Sequence, residues 1–208
     1  MTDSDKIDSQ ASGELRAPAE TETIKESKVQ PLWHVFILNV FTMSAYSIIW
    51  IFKNWKDLAD HANLQLQSND SKSSPLAHFK NISPLLRTIG SLIQYFQLYM
   101  MCVFFMRIAQ LYPNKNSMVS KHPLVMGIFL VAAGRALLCL DQLPGTFRLL
   151  YLLSTIPLMI AQSWLNAYWK TQESSDVLVR QAFSGSELVL LIAGATLIGL
   201  TVTSTFLH

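Results

Sequence analysis

Five mostly apolar stretches divide the chain, at about 32–52, 88–112, 123–140, 147–168 and 187–206. Each is close to the roughly 20 residues that a helix needs to cross a hydrocarbon core about 30 Å thick. Charge is pushed into the first thirty residues and into the joints between the stretches. Half of the 208 residues are hydrophobic and 14% are charged, against about 25% charged in a soluble globular domain. The expected fold is therefore all-α, a polytopic transmembrane helical bundle of about five spans over residues 32–208. Residues 1–31, rich in Asp, Glu, Ser and Thr and poor in large apolar groups, are expected to be a disordered acidic tail.

Several function classes fit poorly. A net charge of +2 gives no electrostatic footprint for nucleic acid, which is not expected as a partner. The N-terminus lacks the basic start and apolar core of a signal peptide, so the stretch at 32–52 is the expected targeting signal. Cys102 and Cys139 sit in apolar surroundings without metal-like spacing and read as buried small hydrophobes. Asp57 and His61 share a helix face, but no His/Cys/Asp cluster has ligand spacing, and no P-loop, HExxH or nucleophile elbow is present. No metal, cofactor or catalytic residue is expected, and the chain reads as a non-enzyme.

The basic residues tie between the two sides of a five-span topology, so orientation does not follow from them. The acidic tail and the Lys53/Lys56 pair favour an external N-terminus.

The first stretch carries a polar stripe. With about 100° per residue, Asn39, Thr42, Tyr46, Trp50, Lys53 and Asp57 share one arc, and Ile37, Phe41, Ala45, Ile48 and Phe52 the opposite one. The polar arc is expected against other helices and the apolar arc against lipid. Trp50 and Trp55, placed where the apolar run ends, read as an interfacial anchor at a helix exit. From Lys53 to Leu66 the pattern is an amphipathic surface helix, with Leu58, Ala62 and Trp55 towards the membrane.

Thr42, Tyr46, Trp50, Phe52 and Trp55 also stand in the register T-x-G-x-Y-x-x-x-W-x-(Y/F)-x-x-W, with Ser44 in place of the glycine. This resembles the first helix of a widespread group of small bacterial multi-pass membrane proteins known only as a domain of unknown function. The match covers about twenty residues. It implies a protein of the bacterial inner membrane and lends no activity.

Two further stretches carry polar stripes: Arg87, Ser91, Gln94 and Gln97 in the second, and Thr155, Gln162, Asn166 and Trp169 in the fourth. Polar groups in hydrocarbon are costly, so the stripes should face one another or a wet cavity. In the fifth stretch Ala195 and Gly199 form a small-x-x-x-small pair. Arg135 interrupts the third; it either snorkels, pairs with Asp141 or Asp57, binds an anion, or marks a stretch that fails to span and forms a re-entrant hairpin with the fourth. The candidate ligand or lipid contacts are Arg135, Tyr46, Trp50, Lys53, Asp57, Arg87 and Gln94. The partners expected are membrane lipids, anionic ones included, and a protein subunit or second copy. The leading expectation is a non-enzymatic accessory or partner-binding subunit. A small transporter or channel for an anionic or amphipathic solute is the alternative, weakened by the lack of an inverted repeat. A lipid-modifying enzyme has only the aromatic-basic interface in its favour.

Overall fold

In a computed structural model of the protein, residues 27–42, 44–68, 74–80, 83–90, 94–143, 145–173 and 181–206 are described. The tail through residue 26, Ser91 and most of the loop sequence QSNDSKSSP lie outside them. The elements are α1 (Leu32–Phe41), α2 (Tyr46–Ser68), α3 (Pro84–Gly90), α4 (Gln94–Leu111), α5 (Met118–Lys121), α6 (Pro123–Leu138), α7 (Ile156–Gln172) and α8 (Gly185–Phe206). Short 3-10 helices occupy Pro75–Phe79, Cys139–Gln142 and Gly145–Thr155. No strand occurs among the described residues, so the all-α expectation holds.

The expected single-helix spans do not. Among the described residues no helix is long and apolar enough to cross a membrane. The stretch at 32–52 is broken between α1 and α2. Ser44 there has φ 71°, a left-handed conformation that disfavours any residue with a Cβ. The Thr42 hydroxyl ties the two ends together, donating to the Leu38 carbonyl at 2.7 Å and accepting from the Tyr46 N–H at 2.9 Å. In the fourth stretch, residues up to Thr155 form a 3-10 helix and Pro157 sits in the first turn of α7. A missing N–H is harmless there, so Pro157 starts a helix rather than kinking one.

The core lies where α2, α4, α7 and the 3-10 turn at Pro75–Phe79 meet. Trp50, Trp55, Phe79, Phe104 and Trp169 are all buried. Trp55 stacks on Phe104 with centroids 4.6 Å apart and meets Phe79 at 5.3 Å. This corrects the expected helix-exit anchor: Trp50 and Trp55 are core residues. Leu58 and Ala62, expected to face a membrane surface, are likewise buried inside the bundle. The same period-3.6 pattern serves either partner, and here the partner is protein. The cysteines also depart from expectation, Cys102 being half-buried and Cys139 exposed.

Two glycines set close helix approaches. A Cβ on Gly127 of α6 would lie 2.8 Å from the Cys102 carbonyl oxygen of α4, the most extensive helix pair in the fold. On α8 the notch is Gly194, where a Cβ would overlap the Phe41 carbonyl oxygen at the end of α1. Gly199, expected from the small-x-x-x-small pair, faces open space. The start of α8 is a capping box: Ser184 accepts from the Glu187 N–H at 3.4 Å, and Glu187 accepts from the Ser184 N–H at 3.0 Å.

Candidate binding cavity

The polar stripes of the first and fourth stretches do meet. Asn39 of α1 donates its side-chain amide to the Thr155 hydroxyl at 3.0 Å, and Trp50 of α2 donates its indole N–H to Gln162 of α7 at 2.6 Å. Gln162 in turn donates to Asn166 at 2.8 Å. Asn166 then holds an extended segment before α1, accepting from the Gln30 N–H at 3.1 Å and donating to the Gln30 carbonyl at 2.7 Å. That segment is therefore not part of a disordered tail. Ser27 and the Lys28 N–H both bond to Glu173, Lys28 lies over the Trp169 ring at 4.4 Å, and the Gln30 side chain donates to the Tyr46 hydroxyl at 2.9 Å. Buried polar groups are stable only when bonded, and this network satisfies one stripe with the other.

Beside it, between the α1–α2 joint, α4, α6 and α7, lies a cavity of about 130 Å³. Its polar wall consists of Asn39, Ser44, Ser47, Gln97, Arg135 and Ser154. Much of the remaining wall is apolar, with Met101, Phe105, Leu130 and Leu158 among its residues. Among the described residues that line it there is no carboxylate, histidine or cysteine; they supply hydrogen-bonding groups and one cation. Such a wall can position and hold a ligand.

Of the candidates named from sequence whose side chains are described, Arg135 alone lines this cavity. Tyr46 and Trp50 are buried in the neighbouring network. Lys53 pairs with Glu187 at 3.7 Å, joining α2 to α8. Arg87 lies over the Trp55 ring at 4.8 Å, where its charge is met by the ring face. Asp57 is half-buried on α2, and burial raises its carboxyl above the ordinary value despite the nearby Lys28, Lys53 and Lys56. Gln94 opens α4, and its side chain lies outside the described residues, as do those of Asp141 and Arg148. Among the described residues, Arg135 is not paired with Asp57.

The sequence stripes contained Asn39 and Gln97 but gave them no special place. Ser44 was marked only as the residue in place of the pattern's glycine, and Ser47 and Ser154 carried no signal, because a lone serine in an apolar run is compatible with almost any position. Compared with family models, curated proteins and solved structures, the chain matches none of them.

Proposed function

We propose that this chain is an integral membrane protein that acts by binding rather than by turnover. The observation that carries this reading is the reversal of polarity between inside and outside. Within the bundle run the hydrogen bonds that join Trp50, Gln162, Asn166, Gln30 and Tyr46. Outside, Leu124, Val125, Ile128 and Phe129 of α6 are each more than half exposed, as are Val189, Ile192, Leu197 and Leu200 of α8. A helix face with this much exposed apolar side chain marks a surface that meets lipid or another protein. Exposed charge gathers at the joints, as at Lys115 and Lys121 between α4 and α6. In this reading the apolar stretches cross the bilayer as successive shorter elements, α1 with the start of α2, and α3 with α4. Irregular backbone at membrane depth is tolerated where protein buries it, and the break at Ser44 is walled by Asn39 and Ser47.

The role that fits best is a non-enzymatic accessory or partner-binding subunit of a bacterial inner membrane. A carrier for an anionic or amphipathic solute is the second reading, and Arg135 in the cavity wall is the observation in its favour.

Spin labels at Ile128, Val189 and Leu200, in protein reconstituted into vesicles, test the first. Collisions with oxygen should exceed those with a water-soluble nickel chelate at all three positions. Preferential access of the chelate to all three would overturn membrane insertion. Uptake of an anionic amphiphile into the same vesicles, abolished by Arg135→Gln, would favour the carrier.

A further inference from the structure

The cavity wall carries one fixed positive charge that no acid among its described residues answers. Arg135 shares a face of α6 with Leu130, Gly134 and Leu138, at helical spacing, and that face lines the cavity. The helices α1, α4, α6 and α7, which supply most of the wall, contain no Asp or Glu at all. Three more polar side chains line the same space: Ser44 at the α1–α2 joint, Gln97 on α4 and Ser154 just before α7. Among the described residues, the side chains of Arg135, Gln97, Ser44 and Ser154 make no hydrogen bond or ion pair, and all four are half-buried. Their nitrogen and oxygen atoms are nonetheless open to a water-sized molecule, whereas Asn39 Oδ1 is closed off and takes no part.

These four groups share one property: each can donate a hydrogen bond. An ionised carboxylate only accepts, and its two oxygens match the planar fork of an arginine. One cation balances one negative charge, so a carboxylate suits this wall better than a doubly charged phosphate monoester. A neutral alcohol would leave the guanidinium charge unanswered. The volume of about 130 Å³ is close to the roughly 150 Å³ of a hole that takes a benzene-sized group. That is room for a carboxylate and the first few carbons of a chain, which Met101, Phe105 and Leu158 would meet with apolar surface. Leu138 belongs both to the wall and to the exposed apolar surface of α6, and gives the rest of a chain an apolar way out.

We propose that this cavity binds the carboxylate of a single-chain amphiphile, a fatty-acid-type anion, with its head on Arg135 and Gln97 and its chain leaving past Leu138. The inference deepens the reading of the chain as a binding protein and rests on it. Binding in detergent does not require that the bundle span a bilayer or move a solute. The experiment below therefore fails independently of the spin labels and of the uptake assay.

The test is calorimetric titration of the purified full chain in a neutral detergent at about pH 9, well above the carboxylic acid range. The probes are decanoate, decanol, decyl phosphate and propionate. Wild type is expected to bind decanoate at one site at least about tenfold more tightly than decanol, the size of one charge-assisted contact. Decyl phosphate should bind more weakly than decanoate, and propionate at least about tenfold more weakly, having lost the apolar contact. Arg135→Gln should bring decanoate to within about twofold of decanol and leave decanol unchanged. Arg135→Lys keeps the charge and loses the fork, so it should fall between wild type and Arg135→Gln. Should Arg135→Gln not fold, Gln97→Leu, at a half-buried position, should weaken decanoate by about threefold and leave decanol unchanged. Equal affinity of wild type for decanoate and decanol, or decanoate affinity unchanged by Arg135→Gln, would overturn the proposal. Propionate binding as tightly as decanoate would rule out the chain, and decyl phosphate binding more tightly than decanoate would rule out the carboxylate.

Discussion

Trp50 and Gln162, both essentially buried, join α2 to α7 through a single indole N–H···O bond of 2.6 Å. The bond continues into Asn166 and from there to the backbone at Gln30, so three segments distant in sequence share one network. Removing either partner leaves a buried polar group unsatisfied, at a cost of about 1–3 kcal/mol. Gln162→Leu should destabilise more than Trp50→Phe, because Gln162 serves two neighbours and Trp50 keeps most of its ring packing as Phe. The double substitution should be less damaging than the sum of the two by about 1 kcal/mol, the coupling expected of directly bonded residues. Equilibrium unfolding of the four proteins in one detergent measures this, and strict additivity would count against the bond.

Ser44 is the residue at which backbone conformation and side chain disagree. Its φ of 71° is unfavourable for any residue with a Cβ, by about 1–2 kcal/mol. The neighbouring bonds hold it there: its N–H reaches the Asn39 carbonyl at 2.7 Å, and its own carbonyl accepts from the Ser47 hydroxyl. Ser44→Gly should raise the unfolding midpoint, by about 0.5–1 kcal/mol after the extra unfolded-chain entropy of glycine is set against the relief of strain. Ser44→Val should lower it. The resembled helix pattern carries glycine at this same place, and the left-handed backbone is the physical reason a glycine suits it.

The helical content and the pairing of stripes could be read from spacing, because Asn39, Trp50, Gln162 and Asn166 are buried polar groups that must find one another. The break at residues 42–45 could not. No Gly or Pro marks it, and the Thr42 hydroxyl that bridges α1 to α2 looks in sequence like any other helix threonine. Trp50 and Trp55 misled for a different reason: a tryptophan at the end of an apolar run has the same pattern whether it meets headgroups or Phe104. Deciding between them needs the partner element, and that is a long-range fact. Arg135 was found because an arginine in an apolar stretch is costly wherever it points. Ser47 and Ser154, in the same cavity wall, carry no such cost and left no trace.

The contact of α8 with α1 predicts opposite outcomes at two glycines of one helix. At Gly194 an added methyl would overlap the Phe41 carbonyl oxygen and sit 2.7 Å from its carbon, both backbone atoms that cannot swing away. Gly194→Ala should therefore force α8 off α1, at about 1–3 kcal/mol, the usual range for overpacking. At Gly199 nothing lies within 4 Å, so Gly199→Ala should be neutral or stabilising by up to about 1 kcal/mol through helix propensity. Unfolding midpoints decide it, with limited proteolysis near Phe183 as a second readout of a loosened α8. If Gly199→Ala were the damaging one, the notch would be misassigned.

Asp57 gives the fold a pH dependence whose sign is set by its surroundings. It lies beyond the apolar stretch that ends at Phe52, and burial holds its carboxyl above the ordinary 3.8, with Asp60 adding repulsion and Lys28, Lys53 and Lys56 opposing. An acid with a raised folded-state value binds its proton more tightly when folded. Its contribution to stability is therefore complete below the unfolded value and is lost as pH rises through the folded one. The wild-type chain should lose stability relative to Asp57→Asn as pH increases from about 3 through the acid range, with a constant difference once Asp57 is fully ionised. Replacing Lys28 by Met removes a nearby charge that favours the ionised form, so the loss should extend to higher pH and grow larger. Unfolding free energies of the three proteins measured from pH 3 to pH 8 provide the comparison. A wild-type chain that gained stability over Asp57→Asn with rising pH would show that attraction to the lysines, rather than burial, governs this carboxylate.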